Sequence, residues 1–134
     1  MSAYWDSSAL VEASLNEGVR VALAKEGGFT RTHAFAEVFS TLTGGRLGFR
    51  SQPEDAAKIC REMANDLECI ELNSQKTLDA LDKARRFGVR GGHIHDFLHA
   101  IAAQNVRADK IYTLNLEDFR SLRVRMEITL PPEI

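Results

Sequence analysis

The chain has 134 residues, 44% hydrophobic and 27% charged, which is ordinary globular usage and argues against disorder. Its 17 basic and 19 acidic residues nearly cancel, excluding a polybasic tail or an electrostatic membrane binder. No apolar run approaches the ~20 residues of a membrane helix, and the first residues, MSAYWDSSALVEASL, lack the basic start of a secretory leader, so a cytoplasmic protein is expected.

In chain order, Ala3-Tyr4-Trp5 reads as a short buried strand, and Asp6-Ser7-Ser8 after it as a helix cap. Helices are predicted over Ala9–Leu15 and Val19–Ala24, the second stopped by Gly27-Gly28, with a brief strand over Phe29–Thr32. His33–Thr43 places Ala34, Phe35, Val38, Phe39 and Leu42 on one helical face, and Gly44-Gly45 ends it. Ser51-Gln52-Pro53-Glu54 has the spacing of a capping box with proline at the first helical position. Behind it Ala56, Cys60, Met63, Ala64 and Leu67 form a core stripe. Cys60 and Cys69 match no metal or redox spacing, and two cysteines are too few for a disulfide framework. A strand over Cys69–Leu72 precedes a helix from Ser74 to about Phe87, which the pairs Asp79–Lys83 and Asp82–Arg86 would support. Gly91-Gly92 breaks the chain before a helix over His93–Val106, followed by strands over Lys110–Thr113 and Met126–Leu130. Short strands alternating with longer helices imply a single α/β domain over 1–134. The expected architecture is a three-layer α/β/α sandwich around a mostly parallel sheet of four to five short strands.

In such sheets ligands gather beyond the carboxyl ends of the strands, which places Asp6 and Asn115 at the ligand edge. Three acids stand out there. Asp6 directly follows a strand, where capping a helix explains it as well as a site does. Glu37 has no lysine or arginine three or four residues away, and a solvated margin of its helix would account for it. Asp96 shares a helical face with Ala100 and Ala103, so something packs closely beside it. A half-hidden anion needs a partner, either an arginine from elsewhere or a cation shared with other carboxylates.

These residues resemble a family. Asp6-Ser7-Ser8-Ala-Leu, Ala36-Glu37-Val38, His95-Asp96-Phe-Leu-His-Ala and Tyr112-Thr113-Leu-Asn115-Leu-Glu-Asp118-Phe119 together look like a PIN-domain nuclease over nearly the whole chain. At this size the resemblance is to the VapC-type toxin of toxin–antitoxin pairs. It implies a metal-dependent endoribonuclease in which Asp6, Glu37 and Asp96 hold Mg²⁺ or Mn²⁺, hard cations suited to oxygen ligands. Ser8 and Thr113 match hydroxyl positions near the metal. At the usual fourth acidic position this chain has Asn115, with Asp118 three residues on, so either residue completes the site or the metal is held more weakly. The resemblance also implies an RNA substrate, an antitoxin protein and a homodimer.

Of the 17 bases 12 are arginines, and residues 85–125 carry a net positive charge. Arg85, Arg86, Arg90 and Arg107, with Arg120, Arg123 and Arg125, are candidates for binding RNA phosphates around the acidic centre or the acids of an antitoxin. His95 and His99 form an i,i+4 pair without a third zinc ligand, so a surface or RNA-facing role is expected. Tyr4 and Trp5 read as core. The rival readings are a catalytically weak or inactive PIN-like module that binds RNA or protein, suggested by Asn115, and a receiver-like phosphoacceptor. The latter lacks the paired acids such a domain needs after its first strand.

Overall fold

The computed structural model describes residues 2–134. Five three-residue strands, β1 (Ala3–Trp5), β2 (Phe29–Arg31), β3 (Glu68–Ile70), β4 (Lys110–Tyr112) and β5 (Glu127–Thr129), form one all-parallel sheet in the order β3-β2-β1-β4-β5. Around it lie α1 (Ser7–Leu15), α2 (Glu17–Glu26), α3 (His33–Gly44), α4 (Pro53–Ala64), α5 (Ser74–Lys83) with a 3-10 turn over Ala84–Phe87, α6 (His93–Asn105) and α7 (Leu116–Arg120). The sandwich expected from the sequence is present, with the sheet wholly parallel.

Strand β1 is central because every one of its residues is buried, as a strand covered on both faces requires. Alternation divides its side chains. Trp5 packs with Leu10, Leu23, Val38, Leu42 and Met63 from the first four helices, while Tyr4 joins Ile111, Phe97, Ala100, Ala103 and Phe119 on the other face. The indole Nε1 of Trp5 donates to the Gly27 carbonyl at 3.0 Å. Next to it Gly28 has φ 125°, and a Cβ there would run into the Ala3 carbonyl oxygen, so only glycine fits.

The chain first winds outward from β1 to β2 and β3, then returns to the opposite side of β1 for β4 and β5. This reversal opens a crevice at the carboxyl edge between β1 and β4. In register, Trp5 faces Tyr112, and the Asp6 N–H continues the ladder to the Tyr112 carbonyl at 3.1 Å. Asp6 and Thr113 therefore leave the sheet side by side.

Two local expectations, the capping box and the ion pairs of α5, are corrected. Gln52, not Ser51, is the N-cap of α4 and makes no side-chain cap bond, so the capping box does not form although Pro53 opens the helix. Helix α5 begins at Ser74 as expected, capped by Asn73, which accepts from the Lys76 N–H at 2.8 Å. Asp79–Lys83 and Asp82–Arg86 are not among the ion pairs of the described residues, and Asp79 accepts instead from Gln75 at 2.9 Å. Helix α7 lies between the predicted elements, since five residues with the single buried apolar Phe119 are too short to show a period. No described helix is long and apolar enough to cross a membrane.

Candidate active site

Asp6 caps α1 and lies almost wholly buried at the end of β1. Oδ1 accepts from the Ala9 N–H at 2.8 Å and from Ser8 Oγ at 2.7 Å, and Oδ2 accepts from Thr113 Oγ1 at 2.6 Å. Each hydroxyl gives its single proton to the carboxylate and accepts a backbone N–H in return, Leu114 to Ser8 and Asn115 to Thr113, both at 2.9 Å. The helix-cap reading of Asp6 is borne out, and the capping carboxyl stands at the carboxyl edge of the sheet. Burial pushes the Asp6 carboxyl up from its ordinary range, against the charge of His99 and the hydrogen bonds from Thr113, Ala9 and Ser8.

Asp96 stands in the first turn of α6, half-buried, with Ala100 and Ala103 on its face packed against the sheet side. It has no ion-pair partner among the described residues, so no arginine neutralises it. Burial, then the negative charges of Asp6 and Asp118, raise its pKa to about 6, with His93 and His99 opposing. Asp6 and Asp118 therefore both repel Asp96, and none of the three is in an ion pair among the described residues.

Glu37, on α3, faces a different neighbour. Its Oε1 accepts from His99 Nε2 at 2.9 Å, and His99 Nδ1 lies 2.7 Å from the Tyr4 hydroxyl. Burial disfavours ionised Glu37, yet the hydrogen bond and charge of His99, then the charges of His33 and His95, hold its carboxyl below the usual range. His99 is 1% exposed, so it is neither a surface histidine nor the partner of His95, and that expectation is overturned. His95 is exposed instead and lies nearly parallel to His33, with centroids 6.1 Å apart. Tyr4 and Trp5 are core, as read from the sequence.

Glu37, Asp96, Asn115 and Asp118 line one cleft of about 680 Å³, together with Ser7, His33, His93, His95 and Arg46. Asp6 lies under it. Asn115 is the N-cap of α7 without a side-chain cap bond, and Asp118 sits in that helix's first turn. Neither Arg46 nor His33 carried a sequence signal toward this site. Arg85, Arg86, Arg90 and Arg120 fall outside the cleft lining. Arg107, Arg123 and Arg125 precede β4 and β5, and so lie at the opposite edge of the sheet rather than around the acidic centre.

The donor set fits a hard divalent cation: all oxygen, several negative charges, and mutual repulsion that a cation relieves. As the side chains stand, no three His, Cys, Asp or Glu among the described residues are grouped closely enough to enclose one. Glu37 is held toward His99, and both Asp6 oxygens are engaged by the chain.

The sandwich with its five-stranded all-parallel sheet has a PIN-like fold. Solved structures share that architecture. Protein PAE2754 from Pyrobaculum aerophilum matches with TM-score 0.72 and 14% identity over 97% of this chain and 90% of that one. VapBC2 from Rickettsia felis, bound to a promoter DNA fragment, matches with 0.66 and 17% over 96% and 98%. VapC20 of Mycobacterium tuberculosis, described as a sarcin-ricin loop cleaving toxin, matches with 0.66 and 14% over 90% and 95%. Likeness at these identities establishes the fold, which is that of VapC-type PIN structures. No protein-family model and no curated protein matches the sequence.

Proposed function

We propose that the chain is a divalent-metal-dependent endoribonuclease and the toxin half of a toxin–antitoxin pair. One observation carries the reading: the Asp96 carboxyl, without an ion-pair partner, is driven to about 6 by burial and by Asp6 and Asp118. Purely structural carboxylates are paired or solvated, whereas clustered, perturbed ones mark a site. The structures of VapBC2 and VapC20, with their complex and toxin descriptions, support the same reading.

Asp6, Glu37 and Asp96 would hold Mg²⁺ or Mn²⁺, with Asp118 or the Asn115 carbonyl completing the set. When bound, such an ion supplies an acidified water and neutralises charge gathering on the scissile phosphate. The chain's own contributions are distinct. Ser8, Thr113 and the Ala9 N–H fix the orientation of the Asp6 carboxyl and oppose the upward push of burial on its pKa. His99 orients Glu37. Arg46, in the cleft lining, is placed to take a substrate phosphate, while contact of Arg85, Arg86, Arg90 and Arg120 with more distant RNA phosphates belongs to the same proposal. Exposed Phe39, Leu47 and Phe49 offer apolar surface for the homodimer the reading includes.

The test is cleavage of single-stranded RNA by purified protein with Mg²⁺ or Mn²⁺, by wild type and by Asp96→Asn. Metal-dependent cleavage lost in a folded Asp96→Asn variant supports the reading, and equal cleavage by both overturns it. A second reading is favoured by Asn115, whose amide brings no charge to the usual fourth acidic position: a PIN-like module that binds RNA or protein without turnover. Calorimetric titration with Mn²⁺ separates the two, because that module gives neither metal binding nor cleavage.

A further inference from the structure

The sheet's amino edge, opposite the acidic cleft, carries a second cavity of about 730 Å³ between the 3-10 turn, α6 and the segments entering β4 and β5. Its floor is apolar, with half-buried Phe87, Ile101, Val124 and Met126 lying over buried Phe97 and Leu122. Its rim is cationic. Lys83, Arg107, Arg123 and Arg125 are all exposed, and none is among the ion pairs of the described residues. The one acid in the lining, Asp109, already accepts from the Ser2 backbone N–H at 2.9 Å.

The backbone adds an independent observation. Arg107 and Arg123 are the only described non-glycine residues with positive φ, at 54° and 56°, and both line this cavity. Each follows a helix at a position where glycine or asparagine is the unstrained choice, yet each carries an arginine.

Unpaired cations around an apolar floor complement acids interspersed with aliphatic side chains. A single-stranded nucleic acid would need a free aromatic face for its bases, and the one half-buried aromatic, Phe87, packs on Phe97 with centroids 5.2 Å apart. We infer that this cavity docks an acidic amphipathic peptide segment of a partner protein, its carboxylates on the rim arginines and its aliphatic side chains on the floor. The inference is independent of the nuclease reading, since it uses no residue of the acidic cleft.

The test is fluorescence anisotropy of the full chain with a labelled twelve-residue peptide carrying Glu and Leu at helical spacing. Comparators are the same peptide with Lys for every Glu, and oligouridine in the presence of a chelator. Arg107→Gly with Arg123→Gly removes two cations while giving the backbone the residue it prefers, so this variant should melt no lower than wild type. It is expected to weaken the acidic peptide by about three- to tenfold, the sum of two exposed charge pairs. Met126→Glu, which sets an acid on the floor, should weaken it too. The lysine peptide should not bind, and oligouridine affinity should be the same for wild type and the double variant. Absence of acidic-peptide binding, binding unchanged in the double variant, or a loss of oligouridine affinity in it would each overturn the inference.

Discussion

His99 Nε2 donates a 2.9 Å hydrogen bond to Glu37 Oε1, joining α6 to α3 across 62 residues of chain, and the Tyr4 hydroxyl meets the other ring nitrogen at 2.7 Å. A carboxylate oxygen can only accept, so Nε2 carries a proton, and the ring's orientation is fixed from both sides. Burial holds the Tyr4 hydroxyl well above its ordinary pKa, so it stays a neutral partner for the imidazole. The geometry makes His99 the anchor of Glu37.

Replacing His99 by alanine should therefore do two things. It strands a half-buried carboxylate and a buried tyrosine hydroxyl, which costs roughly 2–4 kcal/mol of stability. It also lets the Glu37 pKa rise. In wild type the depressed Glu37 pKa contributes stability that is present above its unfolded value and lost as pH falls through the lower folded value. Urea denaturation at pH 7 and below pH 4 checks this: the gap between wild type and His99→Ala should be wider at pH 7. An equal gap at both pH values would remove Glu37 from the account.

Asp96 runs the other way. Its folded pKa of about 6 lies above the unfolded carboxylate value, so the folded chain binds that proton more tightly. Stability from this group falls as pH rises from about 4 through about 6, and the ionised form is a liability at neutral pH. Asp96→Asn should accordingly raise stability at pH 7.5 by about 1–2 kcal/mol, less than the whole shift because solvent screens the half-buried carboxyl, with the gain vanishing near pH 4. Thermal melts across that range measure it. Destabilisation at pH 7.5 would mean that Asp96 has a neutralising partner after all. Saturating Mn²⁺ should stabilise wild type more than the variant.

Thr113 and Ser8 test the support of the buried carboxylate. Thr113→Val removes the donor to Asp6 Oδ2 and the acceptor of the Asn115 N–H while keeping the side chain's shape. The expected cost is about 2–3 kcal/mol, because the lost bond is to a charged, buried group. Thr113→Ser should restore most of it. Ser8→Ala should cost less, since Oδ1 keeps the Ala9 N–H. Chemical denaturation of the three variants gives the order, and Ser8→Ala costing more than Thr113→Val would reverse the assignment.

Much of this arrangement was readable from sequence, for identifiable reasons. A buried apolar triplet followed by Asp6 announced a central strand ending at the ligand edge, because a central strand covered on both faces is apolar throughout, whereas the other four strands each carry a polar or charged residue. Ala100 and Ala103 beside Asp96 announced close packing, and they are buried against the sheet side. What could not be read was any partnership between distant segments. Nothing around His99 distinguishes a ring held by Glu37 and Tyr4 from one facing solvent, because its partners come from α3 and β1. Arg46 entered the cleft through the loop after α3, where no period operates. Helix α7 has no sequence period, since one turn leaves no repeat, although Glu117 and Asp118 in its first turn carry the charge such a start favours.

The remaining question at the cleft is which side chain stands in for the fourth acid. Asn115 and Asp118 both line it, but only the Asp118 charge reaches Asp96 strongly enough to raise its pKa. If Asp118 supplies the missing negative charge, Asp118→Asn should weaken Mn²⁺ binding by about tenfold, the effect of roughly 1.4 kcal/mol, and Asn115→Ala by much less. The apo protein should respond with the opposite sign: Asp118→Asn lowers the Asp96 pKa and raises stability at pH 7.5, because one repelling charge is gone. Asn115→Asp adds a charge to the same cluster, so it should destabilise the apo form and tighten Mn²⁺. Titration calorimetry paired with melts of the apo variants reads both signs. Should Asn115→Ala prove the more damaging to metal binding, the amide carbonyl rather than Asp118 completes the site.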